Sequence, residues 1–281
     1  MSEIRYYEEW AMNAWPCLRT LAVDGWLLRW AEGYTKRANS VQPLYPAHRP
    51  LGEKIREAEA FYRRLELPVI FKMTAASEPS GLDEELERRG YALVEPVSIQ
   101  TLRLGETDLP QPGHSEMELS PVLTEAWLSS FLAMNPSHAP HKETIRHLFT
   151  GMLAEGCFAA LKVNGETVAC GLSVLHGGVA GLFDIVTGPA YRRRGYGESL
   201  ILHLLHWGRE RGAHASFLQV LAENEPAVRL YAKLGFTEQF RQWYRVKQAQ
   251  PDRKTGDVPS GYGTSAWDGF DPRKPLAGEG E

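Results

Sequence analysis

The stretch "YRRRGYGESLILHLL" (residues 191–205) places three arginines and two glycines directly before an apolar, helix-like pattern. The apolar residues recur at helical spacing and predict a helix from Gly197 to about Gly212. A helix start presents unpaired N–H groups and a partial positive charge, so it favours anions. Arginine side chains and glycine backbone at that start therefore predict a site for a strongly anionic group, such as a phosphate or diphosphate.

The composition indicates one large or two ordinary globular domains. The chain has 281 residues, of which 43% are hydrophobic and 23% charged, and its net charge is −4. No basic excess suggests a nucleic-acid partner, no apolar run is long enough for a membrane span, and the acidic N-terminus is unlike a secretion signal. The three cysteines are scattered without metal-type spacing. We therefore expect a cytoplasmic protein with no metal, and with neither nucleic acid nor a membrane as partner.

The second half of the chain carries the clearest pattern of helices and strands. Apolar spacing predicts helices at 123–135 and 141–153. Three strands are predicted within 157–189, because Asn164-Gly165 and Gly177-Gly178 are typical of hairpin turns. The predicted buried face of the following helix is Leu200, Ile201, Leu204 and Leu205, and its predicted exposed face is Ser199, His203, His206 and Glu210. A strand at 215–222, a short helix at 225–235 and a last strand at 236–246 complete this half.

The first half contains a weaker version of the same pattern. A two-stranded hairpin is predicted at 26–44, an amphipathic helix at 53–67 and a strand at 68–73. In both "ELERRGY" (85–91) and "LYAKLGF" (230–236), helical residues meet a glycine and then an aromatic residue that opens a strand. The chain therefore reads as two copies of one α/β unit.

The two copies are joined near "GETDLPQPGHSE" (105–116), a segment rich in turn-forming residues. The predicted domains are residues 1–108 and 115–248. Residues 249–281 are rich in glycine, proline and charge, and they predict a flexible tail without a core of its own.

The glycine loop and the segment "NEPAVRLYAKLGF" (224–236) together resemble the GNAT superfamily of acetyl-CoA-dependent N-acetyltransferases. The resemblance covers roughly residues 155–246, with Arg192-x-x-Gly195-x-Gly197 in the place of the family's diphosphate loop. It implies an α/β (α+β) fold of two tandem GNAT-like units, each with a mixed, mostly antiparallel sheet flanked by helices.

The first of the two units resembles a degenerate copy. Pro50 and Leu51 stand where the glycine loop is expected, so the backbone cradle for a phosphate is missing. Leu86 stands where Tyr231 stands in the second copy. We therefore expect only the second copy to bind acetyl-CoA.

The resemblance also implies the ligand and the residues that hold it. It implies an acyltransferase with acetyl-CoA as cosubstrate and no metal. The main chain of the strand before the loop would pair with the pantetheine arm, and the loop N–H groups would hold the diphosphate. The implied coenzyme-binding residues are Ile185, Val186, Thr187, Arg192, Arg193, Arg194, Gly195, Tyr196, Gly197, Glu198, Asn224 and Tyr231. For Asn224, capping of the following helix is an equal alternative.

Acyl transfer to an amine needs a base for the amine proton, N–H donors for the developing oxyanion and an acid for the departing thiolate. Tyr231 occupies the family's acid position, with ring packing as the alternative. The base stays open, because this chain has Gln219 where relatives carry a glutamate. The alternatives are the nearby carboxylates Asp184 and Glu223, the histidines His138 and His141, and a water relay.

Several other residues have a packing and a functional interpretation. Cys157 and Cys170 lie in apolar strand patterns, which favours packing over acyl carriage. Trp26 and Trp30 are interpreted as core residues, with a substrate cleft as the alternative. The polar residues Lys36, Arg37 and Asn39 are expected either to shape the acceptor site or to form a solvated hairpin.

The function that follows from the resemblance is transfer of acetyl from acetyl-CoA to a primary amine by direct attack in a ternary complex. A small molecule is the expected acceptor, such as an amino acid, a polyamine or an amine-bearing antibiotic, because an acidic chain suits a cationic amine. A protein or peptide N-acetyltransferase and a non-catalytic acetyl-CoA-binding module are the alternatives.

Overall fold

The part of the chain that the structure describes contains both helices and strands. The computed structural model describes residues 3–113 and 116–248. In chain order its helices and strands are α1 (Glu3–Ala14), β1 (Arg19–Val23), β2 (Trp26–Trp30), β3 (Val41–Pro43), α2 (Leu51–Arg64), β4 (Val69–Thr74), α3 (Leu82–Arg88), β5 (Ala92–Arg103), β6 (Met117–Ser120), α4 (Glu125–Met134), α5 (Lys142–Thr150), β7 (Glu155–Val163), β8 (Glu166–His176), β9 (Val179–Thr187), α6 (Tyr196–Glu210), β10 (Ala215–Leu221), α7 (Glu225–Lys233) and β11 (Thr237–Lys247).

Residue contacts divide the described chain into two compact units. Unit 1 comprises residues 3–16 and 96–242, and unit 2 comprises residues 17–95 and 243–248. This division differs from the predicted ranges 1–108 and 115–248, because α1 and most of β5 pack with elements from the second half of the sequence. That residues 1–108 and 115–248 are two copies of one repeated unit stays a prediction. The predicted tail, 249–281, lies outside the described residues.

Unit 1 contains a mixed, mostly antiparallel sheet with the strand order β6-β7-β8-β9-β10-β5-β11. Strands β9 and β10 run parallel, whereas β6/β7, β7/β8, β8/β9 and β10/β5 pair antiparallel. The turns Asn164-Gly165 and Gly177-Gly178 have positive φ at all four residues, between 53° and 80°. These values suit tight hairpins and confirm the predicted turn positions.

Helix α6 covers one face of this sheet. The predicted stripe of Leu200, Ile201, Leu204 and Leu205 is fully buried in the main core of unit 1. The prediction that Ser199 is exposed is wrong, since the residue is only 2% exposed. The buried face of α6 is wider than the stripe, because Leu202 and Trp207 are buried as well.

Helix α1 covers the opposite face of the unit 1 sheet, and the sequence analysis assigned it no element. The Trp10 ring lies 4.8 Å from that of Phe217 and 6.4 Å from that of Phe183, measured between centroids. Its indole Nε1 donates a hydrogen bond to the carbonyl of His176 at 2.8 Å. A Cβ at Gly181 would come within 2.2 Å of the Trp10 ring, so the strand must carry glycine there. Helix α1 is therefore an integral part of unit 1.

Unit 2 is a smaller α/β arrangement. Its strands β1, β2 and β3 pair antiparallel in that order, and β3 pairs with β4 in parallel at Val41 and Phe71. Helix α2 presents Ile55, Ala58 and Tyr62 to the core of this unit. The predicted hairpin, amphipathic helix and strand are all present, but β1 was not predicted.

The two helix ends that suggested a repeat have the same geometry. Gly90 after α3 has φ 80°, and Gly235 after α7 has φ 93°. The N–H of Tyr91 donates to the carbonyl of Leu86 at 3.0 Å, and the N–H of Phe236 donates to that of Tyr231 at 3.0 Å. Both are helix ends closed by a left-handed glycine, as in the Schellman motif. Leu86 and Tyr231 therefore hold equivalent positions in the two copies.

We expect residues 115–248, expressed alone, to lose cooperative thermal unfolding. Without β5, residues 215–221 of β10 lose their antiparallel partner, residues 97–103. The fragment also lacks Trp10, and removing a large aromatic side chain from a core costs about 3–5 kcal/mol. Domains are only about 5–15 kcal/mol more stable than the unfolded chain, so these losses remove most of the margin.

Thermal unfolding followed by circular dichroism tests this expectation. The controls are the full chain and residues 92–248, which restore β5 but not α1. A sharp, full-chain-like transition in residues 115–248 would contradict the account of unit 1.

Candidate functional site

Strands β9 and β10 separate at one end of the unit 1 sheet. Their parallel pairing runs from Val179 with Ala215 to Leu182 with Leu218, where it ends in the described structure. Beyond that point residues 219–221 of β10 stay paired with β5, and the register of β9 with β8 shifts at a bulge. Asp184 lies in this bulge with φ 50°. Residues 183–187 of β9 are thus not paired with β10, and the two strands separate at this end of the sheet.

Helix α6 begins next to the end of β9. Its N-cap is Gly195, with φ 80°, and no side chain caps it. Arg193 also has a positive φ of 59°. The first intrahelical hydrogen bond runs from the N–H of Ser199 to the carbonyl of Gly195. The preceding N–H groups of the first turn therefore have no acceptor within the helix, and N–H groups at a helix start favour anions.

A cavity of about 300 Å³ opens at this helix start. It is lined by six of the residues predicted to bind coenzyme, and by three others: Thr187, Arg193, Gly195, Tyr196, Gly197 and Glu198, with Tyr191, Pro226 and Leu230. A Cβ built on Gly195 meets nothing within 4 Å, so the space in front of the loop is open. The structure thus brings the end of β9, the loop, the first turn of α6 and the start of α7 together around one cavity.

The other predicted coenzyme residues lie beside this cavity. Arg192 is exposed, and its Nε donates to the carbonyl of Thr187 at 3.3 Å. The Arg194 guanidinium lies 5.9 Å from the centre of the Tyr191 ring. Ile185 and Val186 are buried strand residues, as expected of packing side chains.

Tyr231 lies on α7 within the core of unit 1. It is 5% exposed, and its ring centroid is 5.8 Å from that of Phe236. Burial raises the pKa of the Tyr231 phenol above its ordinary value, so the side chain stays protonated at neutral pH. A protonated phenol is the form that a proton donor requires. Its role as the acid stays a prediction.

The structure places the remaining candidates around the open ends of β9 and β10. Asn224 is the N-cap of α7, and its Oδ1 accepts from the N–H of Ala227 at 3.3 Å, which confirms the predicted cap. Asp184 is half-buried, whereas Glu223 is exposed in the turn before Asn224. Gln219 lies directly after the last residue of β10 that pairs with β9. The identity of the base stays a prediction.

The corresponding loop of unit 2 holds a carboxylate of its own. Helix α2 begins at Leu51 with Pro50 as N-cap. The carboxylate of Asp24 accepts hydrogen bonds from the N–H groups of His48 at 3.0 Å and of Arg49 at 2.9 Å. The bond from Arg49 is the largest cause that lowers the pKa of Asp24. An internal anion thus uses the amides that precede α2, a feature that the sequence analysis missed.

The contacts inside unit 2 confirm the expectation that Trp26 is a core residue and correct the expectation for the polar run 36–39. Trp26 is fully buried, and its Nε1 donates to the carbonyl of Glu78 at 2.8 Å, so it does not line a cleft. Asn39 is 2% exposed and is a structural residue. Its side chain accepts from the N–H groups of Ala31 and Gly33 and donates to two carbonyls of the same turn. Lys36 is buried as well and forms an ion pair with Glu95. The polar run is therefore largely internal rather than solvated.

The two cysteines of the unit 1 strands add no further chemistry. Burial raises the pKa of both Cys157 and Cys170 to about 12, which keeps the thiols protonated and confirms packing. Residues 3–113 and 116–248 contain no cluster of metal-binding side chains. No helix in that same part of the chain has the length and apolar character needed to cross a bilayer.

Comparison with known sequences gives matches over nearly the whole chain. A sequence model of the family described as "Probable histone acetyltransferase Rv0428c C-terminal" matches residues 1–245. The uncharacterized N-acetyltransferase YobR of Bacillus subtilis (strain 168) is 32% identical over 252 residues, which cover 88% of this chain and 100% of that protein.

Comparison with solved structures concerns the fold alone. A GCN5-related N-acetyltransferase from Kribbella flavida superposes with a TM-score of 0.63 at 14% identity, covering 90% of this chain and 98% of that chain. A tandem GNAT protein from the clavulanic acid biosynthesis pathway has a TM-score of 0.55 at 15% identity, covering 72% and 70% of the two chains. These similarities confirm the predicted fold class.

Proposed function

Because the chain belongs to the GNAT superfamily of N-acetyltransferases and is an acyltransferase, we propose that it transfers an acetyl group from acetyl-CoA to a primary amine of a small molecule. The observation that carries this proposal is the open start of α6 beside the parted ends of β9 and β10. A cavity there gives an anionic carrier access to the first turn of α6 and to the end of β9.

The residues at the start of α6 fit the diphosphate of acetyl-CoA. Gly195 leaves open space where any other residue would place a Cβ, and its left-handed backbone suits glycine. In the proposal, the N–H groups from Arg193 to Glu198 donate to the diphosphate, and the main chain of 185–187 pairs with the pantetheine arm. When bound, acetyl-CoA supplies an activated acetyl thioester.

The chain's own residues then have to move two protons. The phenol of Tyr231, kept protonated by burial, holds a proton at its Oη for the departing thiolate. The amine must lose a proton before it can attack, because a free primary amine has a pKa of about 10. Asp184 in the β9 bulge and Glu223 in the turn after β10 are the carboxylates proposed for that step.

The proposal assigns one coenzyme site to each chain. In unit 2 the Asp24 carboxylate already occupies the N–H groups of His48 and Arg49. Lys54, which is fully buried, donates to the Asp24 carbonyl at 2.6 Å and fixes this arrangement. A diphosphate at α2 would have to displace this internal carboxylate.

A protein amine is the second candidate acceptor. The family description names a probable histone acetyltransferase, which favours a lysine side chain on a protein. The small-molecule candidate is supported by the net charge of −4, which suits a free cationic amine.

Release of the coenzyme A thiol in the presence of a panel of amines tests the proposal. The panel contains free amino acids, polyamines and an aminoglycoside, together with lysine-containing and free-N-terminus peptides. We expect thiol release with at least one small amine, matched one to one by N-acetylated product in mass spectrometry. Activity with peptides alone would contradict the small-molecule proposal in favour of a protein acceptor. Absence of turnover with every amine, despite acetyl-CoA binding, would favour a non-catalytic binding module.

A further inference from the structure

Thr187, the last residue of β9, has a side-chain hydroxyl that is buried in unit 1. The residue is 2% exposed, and its Oγ1 finds no hydrogen-bond partner among the described residues. Buried hydroxyls are almost always hydrogen-bonded, because an unpaired one has lost its water without compensation. A valine has nearly the same shape and would fill this position without that cost to stability.

The position of Thr187 indicates where the missing partner lies. Thr187 lines the cavity at the start of α6. Side chains alternate along a strand, so Thr187 shares its face with Ile185, which packs into the core beneath α6. The carbonyl of Thr187 already accepts from Arg192, whereas its hydroxyl has no partner in the described part of the chain. A ligand that fills this cavity would therefore lie next to Thr187.

Given the proposed function, we propose that the Thr187 hydroxyl donates a hydrogen bond to bound acetyl-CoA, at the segment that joins its pantetheine arm to its diphosphate. A hydroxyl can donate to a phosphate oxygen or to an amide carbonyl, and both occur in that segment. Thr187 is thus a positioning residue. It adds a side-chain contact to the main-chain contacts expected of this strand.

The variant Thr187→Val removes the hydroxyl and keeps the shape of the side chain. We expect the acetyl-CoA Kd, measured by calorimetry on the full chain, to rise about tenfold, which corresponds to one hydrogen bond. We expect the unfolding temperature without coenzyme to stay the same or to rise, because an unpaired buried hydroxyl is removed. Thr187→Ser keeps the donor and should retain most of the affinity.

Two further measurements show which part of the coenzyme the hydroxyl contacts and provide a control variant. ADP carries a diphosphate but no pantetheine, so weaker binding of ADP to Thr187→Val places the contact on the diphosphate. Normal ADP binding together with weaker acetyl-CoA binding places it on the pantetheine arm. Ser173→Ala is the matched control: Ser173 is fully buried, its hydroxyl also lacks a partner among the described residues, and it does not line the cavity. It should leave the acetyl-CoA Kd unchanged.

An unchanged acetyl-CoA Kd in Thr187→Val, with normal binding by the wild-type chain, would overturn this inference and leave the proposed function intact. A fall of many degrees in the unfolding temperature of Thr187→Val would assign the hydroxyl a structural role and overturn it as well. A wild-type chain that binds no acetyl-CoA would instead contradict the proposed function itself.

Discussion

Replacing Gly195 with valine is expected to weaken acetyl-CoA binding more than a hundredfold. The new side chain would fill space that is open in front of the loop and would disfavour the backbone φ of 80°. Both effects move the N–H groups of the first turn of α6 away from the diphosphate. Each hydrogen bond to a charged oxygen contributes about 1.5–3 kcal/mol, so losing two gives at least a hundredfold change.

The glycine at the other end of α6 provides a matched control for this variant. Gly212 has φ 83° and, like Gly195, would place a Cβ in open space. Gly212→Val therefore introduces similar backbone strain without touching the cavity. We expect the two variants to lose similar stability in thermal unfolding, and only Gly195→Val to lose affinity in calorimetry. Near-normal acetyl-CoA affinity in Gly195→Val would remove the basis for placing the diphosphate at this loop.

The variant Tyr231→Phe is expected to lower kcat about 10²–10⁴-fold while leaving acetyl-CoA affinity unchanged. Only the proton donor is deleted, and general acid catalysis typically contributes a factor of that size. The ring stays in place against Phe236, so the core of unit 1 should remain packed.

Steady-state kinetics and calorimetry on the same preparation measure the two parts of this expectation. Tyr7→Phe, which removes a phenol from α1 in the same unit, serves as the control and should keep the wild-type kcat. An unchanged kcat in Tyr231→Phe would make Tyr231 a packing residue and leave the thiolate to depart unaided.

Local signals in the sequence predicted the elements that build the site. The Gly195 and Gly197 loop predicted an anion site at a helix start, because the relevant N–H groups belong to the same short segment. Asn164-Gly165 fixed a hairpin because its positive φ values suit these two residues. Asn224 predicted a helix cap because the N–H group that its side-chain oxygen accepts from, that of Ala227, is only three residues later in the chain.

Features that depend on distant segments were not predictable in this way. The pairing of β5 with β10 joins residues 97–103 to residues 215–221, and no local pattern specifies that partner. Helix α1 was missed because its aromatic side chains, Tyr6, Tyr7 and Trp10, are interspersed with glutamates. Asp24 occupies the amides before α2 from a turn much earlier in the chain. The unpaired hydroxyl of Thr187 is visible only once all its neighbours are placed.

Hydrogen–deuterium exchange with and without acetyl-CoA tests most directly where the coenzyme binds. The account predicts that the coenzyme slows exchange of the amides at 193–198, since bound phosphate oxygens would take up these N–H groups. We expect no change at 48–54, where Asp24 already holds the amides of His48 and Arg49. Slower exchange at 48–54, or unchanged exchange at 193–198 when the coenzyme is demonstrably bound, would contradict it.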